Sequence, residues 1–280
     1  SIWGGRLVAN TAGGDISLTN GAGGSTWRQV QIGGDNPVLD VIGGNSLIVG
    51  GVVTYADNVG GANPLTIGSA SSSGKIVFSG NNANWNGDLN LAGATLSVSA
   101  DNNLGNANNW LEFTGTGILE TTATFGMNRF VVTRSGKTGT FAPAVGTVLT
   151  LTNYIQGAGG IKVDGAGTVE LLSAANSYTG KTTIENGTLK LGAGASIASS
   201  SEVNLGKTNA PGTLDLTANS SYAFASSQMV SGAGTISIGS GKTVTVAGIL
   251  APGNSTGKII VGGNLSMAGT SEIKMELAGT

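Results

Sequence analysis

Apolar and polar positions alternate with period two in short segments along most of this chain, as in Lys75-Ile76-Val77-Phe78, Thr147-Val148-Leu149-Thr150-Leu151, Thr235-Ile236-Ser237-Ile238 and Lys242-Thr243-Val244-Thr245-Val246. Each reads as a β-strand with one buried face, because successive side chains of an extended chain point to opposite sides. Between the strands lie clusters such as Asn58-Val59-Gly60-Gly61-Ala62-Asn63-Pro64 and Gly192-Ala193-Gly194-Ala195-Ser196. These are turns, since Gly and Asn tolerate positive φ and Asn can bond its own backbone. No ten-residue stretch repeats apolar residues at i, i+3, i+4 and i+7, so the pattern predicts an all-β chain without helices.

The strands also repeat. The segment from Gly74 aligns without gaps with the segment from Gly167, an offset of 93 residues. Phe78 falls on Leu171, Trp85 on Tyr178, Gly87 on Gly180, Leu91 on Ile184, Thr95 on Thr188, Leu96 on Leu189 and Val98 on Leu191. One strand opening is written three times, as Gly117-Ile118-Leu119-Glu120, Gly167-Thr168-Val169-Glu170 and Gly212-Thr213-Leu214-Asp215. Such periodicity marks a solenoid, in which no single turn of chain closes its own core and each must stack on its neighbours. A β-sandwich is the competing all-β architecture. It favours two-residue hairpin turns, whereas the turns here are long and irregular. At about 20 residues per coil and about 4.8 Å per rung, the chain would form about 14 rungs, roughly 65 Å long.

Composition narrows the chemistry. Among 280 residues there are 49 glycines and 39% hydrophobic residues, but only 10% charged ones, so the chain folds with many turns. Cysteine and histidine are both absent, which removes disulfides, thiol nucleophiles, thiolate metal sites and the usual proton carrier near neutral pH. The net charge of −2 comes from scattered residues with no basic face for a phosphate backbone, and no apolar run approaches a membrane helix. Neither nucleic acid binding nor membrane insertion by this segment is expected, and no cofactor is implied.

The stretch from Gly167 to Gly192, with Asn176-Ser177-Tyr178-Thr179-Gly180 and Asn186-Gly187-Thr188-Leu189 at its two turns, resembles the autotransporter-associated β-strand repeat of bacterial passenger domains. Gly157 to Gly167 resembles the glycine-rich lead-in to that repeat, and Gly248 to Ile259 with Gly263-Asn264-Leu265 resembles the section that follows it. The copy from Gly74 to Val98 departs from the pattern, with Asn84-Trp85-Asn86-Gly87 at its turn. The resemblance implies a right-handed parallel β-helix exported to the bacterial outer surface or secreted, in proteins that act as adhesins, aggregation factors or fibres. On this reading residues 1–280 form one continuous β-solenoid, with irregular N-terminal coils at 1–70, the repeat region at 74–192, and C-terminal coils at 193–280 that stop short of an anchor. Asn176, Tyr178, Thr179, Gly180, Asn186 and Gly187 are the structural residues of the repeat turns.

Other motifs reduce to ordinary structure. Gly-Lys-Thr occurs at 136, 180, 206 and 241, but the glycine that a phosphate-binding loop needs five positions earlier is replaced by Val131, Ala175, Ser201 and Ile236. Ser72-x-x-Lys75, Ser255-x-x-Lys258 and Lys137-Thr138-Gly139 match serine–lysine acyl-transfer spacings, which require a helix that the pattern does not predict. Gly13-Gly14-Asp15 and Gly33-Gly34-Asp35-Asn36 are fragments of a calcium nonapeptide. Glycoside hydrolysis needs two carboxyl groups about 5–9 Å apart. Glu112, Glu120, Asp164, Glu170, Glu185, Glu202 and Asp215 are spread along the chain, and Arg6, Arg28, Arg129 and Arg134 form no cluster. Single charges that keep outer faces soluble account for them.

The expected function is therefore a non-catalytic extracellular rod or fibre, open to head-to-tail polymerisation through its strand edges. The alternatives are a module that binds a surface glycan or host protein, or a polysaccharide-cleaving β-helix. Trp3, Trp27, Trp85, Trp110, Tyr154 and Tyr178 are candidates for a sugar-stacking surface, with Trp85, Trp110, Tyr154 and Tyr178 as the ligand-surface candidates. Residues 100–160, where Asn102 to Trp110 and Arg134 to Pro143 interrupt the rhythm, are the expected location.

Overall fold

The computed structural model describes residues 2–3, 5–10, 13–18, 30–34, 36–55, 63–253 and 257–275. Trp27, Arg28, Asp35, Ser255 and turn residues 58–62 lie outside the described residues, as does the side chain of Trp3. The described chain is a β-solenoid. Its strands are short, and those with clear alternation, such as Lys75–Phe78, Val148–Leu151, Thr168–Leu171 and Thr188–Leu191, bury every second residue. The departure from pure β is one 3-10 turn, Asp101–Leu104.

The coils close around three faces. The first face is a 12-stranded parallel sheet whose strands follow one another in chain order from Ile16–Leu18 to Glu272–Ile273. The second face is a 7-stranded sheet running from Arg6–Asn10 to Ile155–Gln156, and its place in the coil is taken later by a 3-stranded sheet at Ser221–Phe224, Thr243–Val246 and Asn264–Met267. The third face starts as a 3-stranded sheet at Ile2–Trp3, Val30–Gly33 and Val53–Tyr55, and resumes as a 7-stranded sheet from Phe125–Met127 to Ile260–Gly262. Antiparallel pairing is confined, among the described residues, to the small hairpin Gly206–Lys207 with Ala210–Pro211 and a bridge between Gly232 and Gly253. That pairing pattern rules out the sandwich.

In-register stacking builds the core. Leu47, Ile76, Leu96, Leu119 and Phe141 are successive partners on the first face, and all are essentially inaccessible to water. Each such side chain contributes roughly 1.5–3 kcal/mol on burial. Successive coils also approach closely at the repeat glycines. A Cβ on Gly180 would lie 2.4 Å from the carbonyl carbon of Gly159, and one on Gly187 would lie 2.1 Å from the carbonyl oxygen of Gly165. The turn before Gly187 is left-handed, with Asn186 at φ 58°, a conformation that Asn tolerates better than most residues.

Two sequence expectations change here. The coil runs from 20 residues upward and is not uniform: partners on the first face are separated by 31 residues at Ile16–Leu47, by 22 at Leu119–Phe141 and by 20 at Ile76–Leu96. The described chain thus makes 12 strands on its longest face, a length of about 53 Å at about 4.8 Å per rung. The gapless offset also crosses faces. Phe78 lies on the first face and Leu171 on the third, Leu91 on the second and Ile184 on the first. The two copies share the local order of strand, aromatic turn, strand, strand, rotated by one face around the axis.

Each aromatic turn fills a place where a face lacks strands. On the third face the gap lies between Val53–Tyr55 and Phe125–Met127. There the Val53 N–H donates to Asn82 Oδ1 at 2.7 Å, Asn82 Nδ2 donates to the Asn103 carbonyl at 2.6 Å, and Asn103 Nδ2 donates to the Gly80 carbonyl at 2.9 Å. Arg129 closes the row from the next coil, donating to the carbonyls of Asp101, Gly105 and Asn106 and to Asp101 Oδ1. On the second face the gap lies between Ile155–Gln156 and Ser221–Phe224. There the Ile155 N–H donates to Asn176 Oδ1 at 2.8 Å, Asn176 Nδ2 donates to the carbonyls of Ser173 and Ser196, and Gln228 Nε2 donates to those of Ile197 and Ser200. Buried backbone groups need partners, and side-chain amides supply them where the next strand is missing.

Candidate functional site: the outer surface of the second face

Strands Leu89–Leu91, Leu111–Phe113 and Val131–Thr133 bury their first and third residues and turn the middle one outward. Thr66, Asn90, Glu112, Val132 and Gln156 are successive register partners and form one outward row. A second row stands two positions earlier on each rung. It is placed by backbone bonds from Leu89 N–H to the Trp110 carbonyl, Leu111 N–H to that of Phe130 and Val131 N–H to that of Tyr154. That row reads Asp88, Trp110, Phe130, Tyr154. The ring centroids of Trp110 and Phe130 are 5.6 Å apart and those of Phe130 and Tyr154 are 5.0 Å apart, with interplanar angles of 59° and 66°. Trp110 is 44% exposed, and Phe130 and Tyr154 are half-buried.

The polar groups beside this ladder are fixed. Asp88 Oδ1 accepts the Trp110 N–H at 2.7 Å, Asn153 Oδ1 accepts the Tyr154 N–H at 2.9 Å, and Asn128 Oδ1 accepts from Thr152 Oγ1 at 3.0 Å. Glu112 is paired with Arg134. The arrangement offers aromatic rings next to planar amides and carboxylates along one straight edge.

The candidates from sequence divide. Trp110 and Tyr154 are on this surface. Trp85 and Tyr178 are each 1% exposed, so they are corrected from ligand-surface residues to core residues: each ring occupies the space inside a strandless gap. Tyr178 bonds Thr182 Oγ1 at 2.6 Å, Thr182 Oγ1 bonds Ser200 Oγ at 2.9 Å, and burial drives the Tyr178 phenol far above its ordinary pKa despite the bond from Thr182. Phe130 was missed. Its signal was present, because Trp110, Phe130 and Tyr154 each immediately precede an apolar residue that opens or leads into a strand of this face.

The repeat-turn residues sit as follows. Asn176 bridges the gap as described, Thr179 is exposed while its N–H bonds the Gly157 carbonyl, and the Gly180 N–H bonds the Gly159 carbonyl at 3.0 Å.

Carboxylates that look scattered in sequence meet in space. Asp164 and Glu185 are direct partners on adjacent rungs of the first face, and Lys162 Nζ reaches them at 2.7 and 2.9 Å. Lys162 and Glu185 border a shallow cleft of about 380 Å³ that Lys137, Thr140 and Thr183 also line. Partial burial alone would raise the Asp164 pKa, but hydrogen bonds from Lys162 and Asn186 and the Lys162 charge outweigh it and hold the carboxyl below its ordinary value. A general acid in glycoside cleavage needs the opposite shift. Glu202 is likewise held low: burial opposes ionisation, and Lys181, Ser231 and Asn204 overcome it. In the N-terminal coils the fully buried Asp40 is ionised by the same balance, with Ser72, Ser69, Arg6 and the Val41 N–H opposing its desolvation. Among the described residues no group of three His, Cys, Asp or Glu gathers in metal-binding proximity.

A family model for the passenger-associated-transport repeat matches residues 163–191. The chain is 34% identical over 118 residues to the protein named adhesin BmaC autotransporter of Brucella suis biovar 1. That match covers 42% of this chain and 3% of the relative, so the chain spans only a small part of the protein it resembles. No solved structure matches.

Proposed function

Taking this chain as an autotransporter passenger region with passenger-associated-transport repeats, we propose that it is a non-catalytic, surface-displayed rod that serves adhesion or spacing outside a bacterial cell. The observation that carries this reading is the unbroken 12-stranded first face. A continuous parallel sheet makes a stiff, quasi-one-dimensional body whose coils each contact only their neighbours. The neutralised charge pairs support it further, because Lys162–Asp164–Glu185 and Lys190–Glu170 tie adjacent rungs together, Lys75–Glu120 reaches across the rung between its two partners, and the carboxylates with a resolved shift are held ionised. The name of the relative is the reason to place adhesion first.

Beads coated with the purified chain should attach to host cells or extracellular matrix more than beads coated with an unrelated protein of similar charge. Equal attachment counts against the adhesive reading. Sustained product release from polygalacturonate or β-glucans would overturn the non-catalytic one.

Self-association is a second proposal. The last described coil exposes residues that are buried one coil earlier: Ile273 is 53% exposed where its partner Leu250 is 6%, and Leu265 is 43% exposed where Val244 is 0%. A further coil or a second copy would cover them. Sedimentation velocity across a hundredfold concentration range should show larger species if copies stack here; a constant monomer coefficient rejects the proposal.

A further inference from the structure

We propose that the second face binds an extended, neutral polysaccharide laid along the solenoid axis, with its sugar rings on the ladder Trp110–Phe130–Tyr154. This deepens the adhesive reading and rests on it.

Three observations carry the assignment. The rings stand on successive rungs with centroids 5.0–5.6 Å apart, close to the advance of one sugar in an extended β-linked chain, so successive rings meet successive sugars. Neighbouring ring planes are inclined by 59° and 66°, so the ladder is a stepped row of separate rings and not one flat aromatic sheet. The neighbouring row lies parallel to the ladder, with Glu112, Val132 and Gln156 on the rungs of Trp110, Phe130 and Tyr154 and Asn90 one rung before them, and its amides and carboxylate are planar groups of the kind that bond hydroxyls in pairs. Apolar ring faces flanked by a few fixed polar groups are what a sugar requires, since its C–H surface stacks on aromatics while its rim needs hydrogen bonds.

Charge selects the class. The two rows hold Asp88 and Glu112 as their charged residues, and Glu112 is paired to Arg134. Arg134 is committed to Glu112 and no lysine stands in either row, so Asp88 leaves the surface net negative and a uronate or sulfated chain would meet like charge. A neutral glycan meets no such penalty.

Affinity electrophoresis of the purified chain through gels containing hydroxyethylcellulose, a neutral mannan, polygalacturonate or heparin tests this. Retardation is expected in at least one neutral gel and in neither acidic one. Trp110→Ala and Trp110→Leu should each weaken that retardation about tenfold, equivalent to about 1.4 kcal/mol, and Tyr154→Ala several-fold. Leu172→Ala, at an exposed apolar residue that follows a third-face strand, should leave it unchanged. Circular dichroism melts of all four variants establish that they remain folded. No retardation by either neutral polymer, stronger retardation by the acidic ones, or full retention by both Trp110 variants overturns the proposal. If the coated beads still adhere to cells under any of those outcomes, the adhesive rod stands and only the glycan assignment falls.

Discussion

The two strandless gaps solve one problem with different chemistry. In both, the first residue of the last strand before the gap, Val53 or Ile155, gives its N–H to a buried asparagine oxygen. In both, a large aromatic, Trp85 or Tyr178, fills the vacated interior. The gap on the third face is then closed by a charge, the Arg129 guanidinium, whose side chain is 1% exposed and whose carboxylate partner Asp101 is 27% exposed. The repeat gap on the second face is closed by the neutral amide of Gln228 and the hydroxyls of Thr182 and Ser200. A solenoid face can lose its strands without losing the solenoid, provided that side chains satisfy the backbone. A neutral closure carries a smaller desolvation cost than an ionic one, and it is the neutral version that coincides with the recognisable repeat.

The largest expected difference follows from the charge. Arg129→Ala leaves three carbonyls and the Asp101 carboxylate without their donor and should lower unfolding stability by about 3–5 kcal/mol, read from urea denaturation. Gln228→Ala, the corresponding change in the other gap, should lower it by about 1–3 kcal/mol. Equal losses would mean that the guanidinium acts only as a set of hydrogen bonds.

Asn82→Ala and Asn176→Ala sharpen the shared element. Each should cost about 1–3 kcal/mol, because a buried N–H and the carbonyls it faced lose their partner. Native-state hydrogen exchange should show the Val53 amide released in the first variant and the Ile155 amide in the second. Exchange that stays slow in both would show that the amides do not continue the ladder.

Acid should act on the ion-paired rungs and less on the neutral gap. Asp40, Asp164 and Glu202 have folded-state pKa values below their reference values of 3.8, 3.8 and 4.5. Their stabilisation is therefore present above about pH 4.5 and is lost as pH falls through the lowered folded values. Lys162 has the reverse sign: its pKa is raised above 10.5, so its contribution holds below that value and is lost as pH rises through the folded-state value. Thermal melts should be flat from pH 6 to 9 and fall below pH 4. Asp164→Asn should fall less steeply.

Much of the fold was legible in the sequence because β-solenoids declare themselves through local pattern. Period-two alternation located strands such as Lys75–Phe78 and Val148–Leu151, and the gapless alignment of Trp85 with Tyr178 picked out two equivalent turns. Coil length was less legible, since insertions such as the hairpin Gly206–Lys207 with Ala210–Pro211 lengthen single coils without disturbing the register of the next. Face assignment was not legible at all. An offset of 93 residues exceeds the 87 from Ile76 to Val163, four coils along the first face, by enough to carry the pattern onto the next face. The same limit explains the candidate site. Trp85 and Trp110 look alike in sequence, yet one points into a gap and the other out of a row, and the meeting of Asp164 with Glu185 exists only once the register is known.

The stacking itself is open to direct measurement, and the chain has no cysteine to interfere with labelling. Thr95, Ile118, Thr140, Lys162, Thr183, Asn204, Ser231 and Ala251 are successive partners on the first face. Nitroxide pairs at Thr95 with Thr183, Asn204 or Ala251 are thus separated by four, five and seven rungs. Pulsed dipolar spectroscopy should give distances of about 19, 24 and 34 Å, linear in rung number at about 4.8 Å per rung. Distances that fail to increase with rung number would contradict the solenoid.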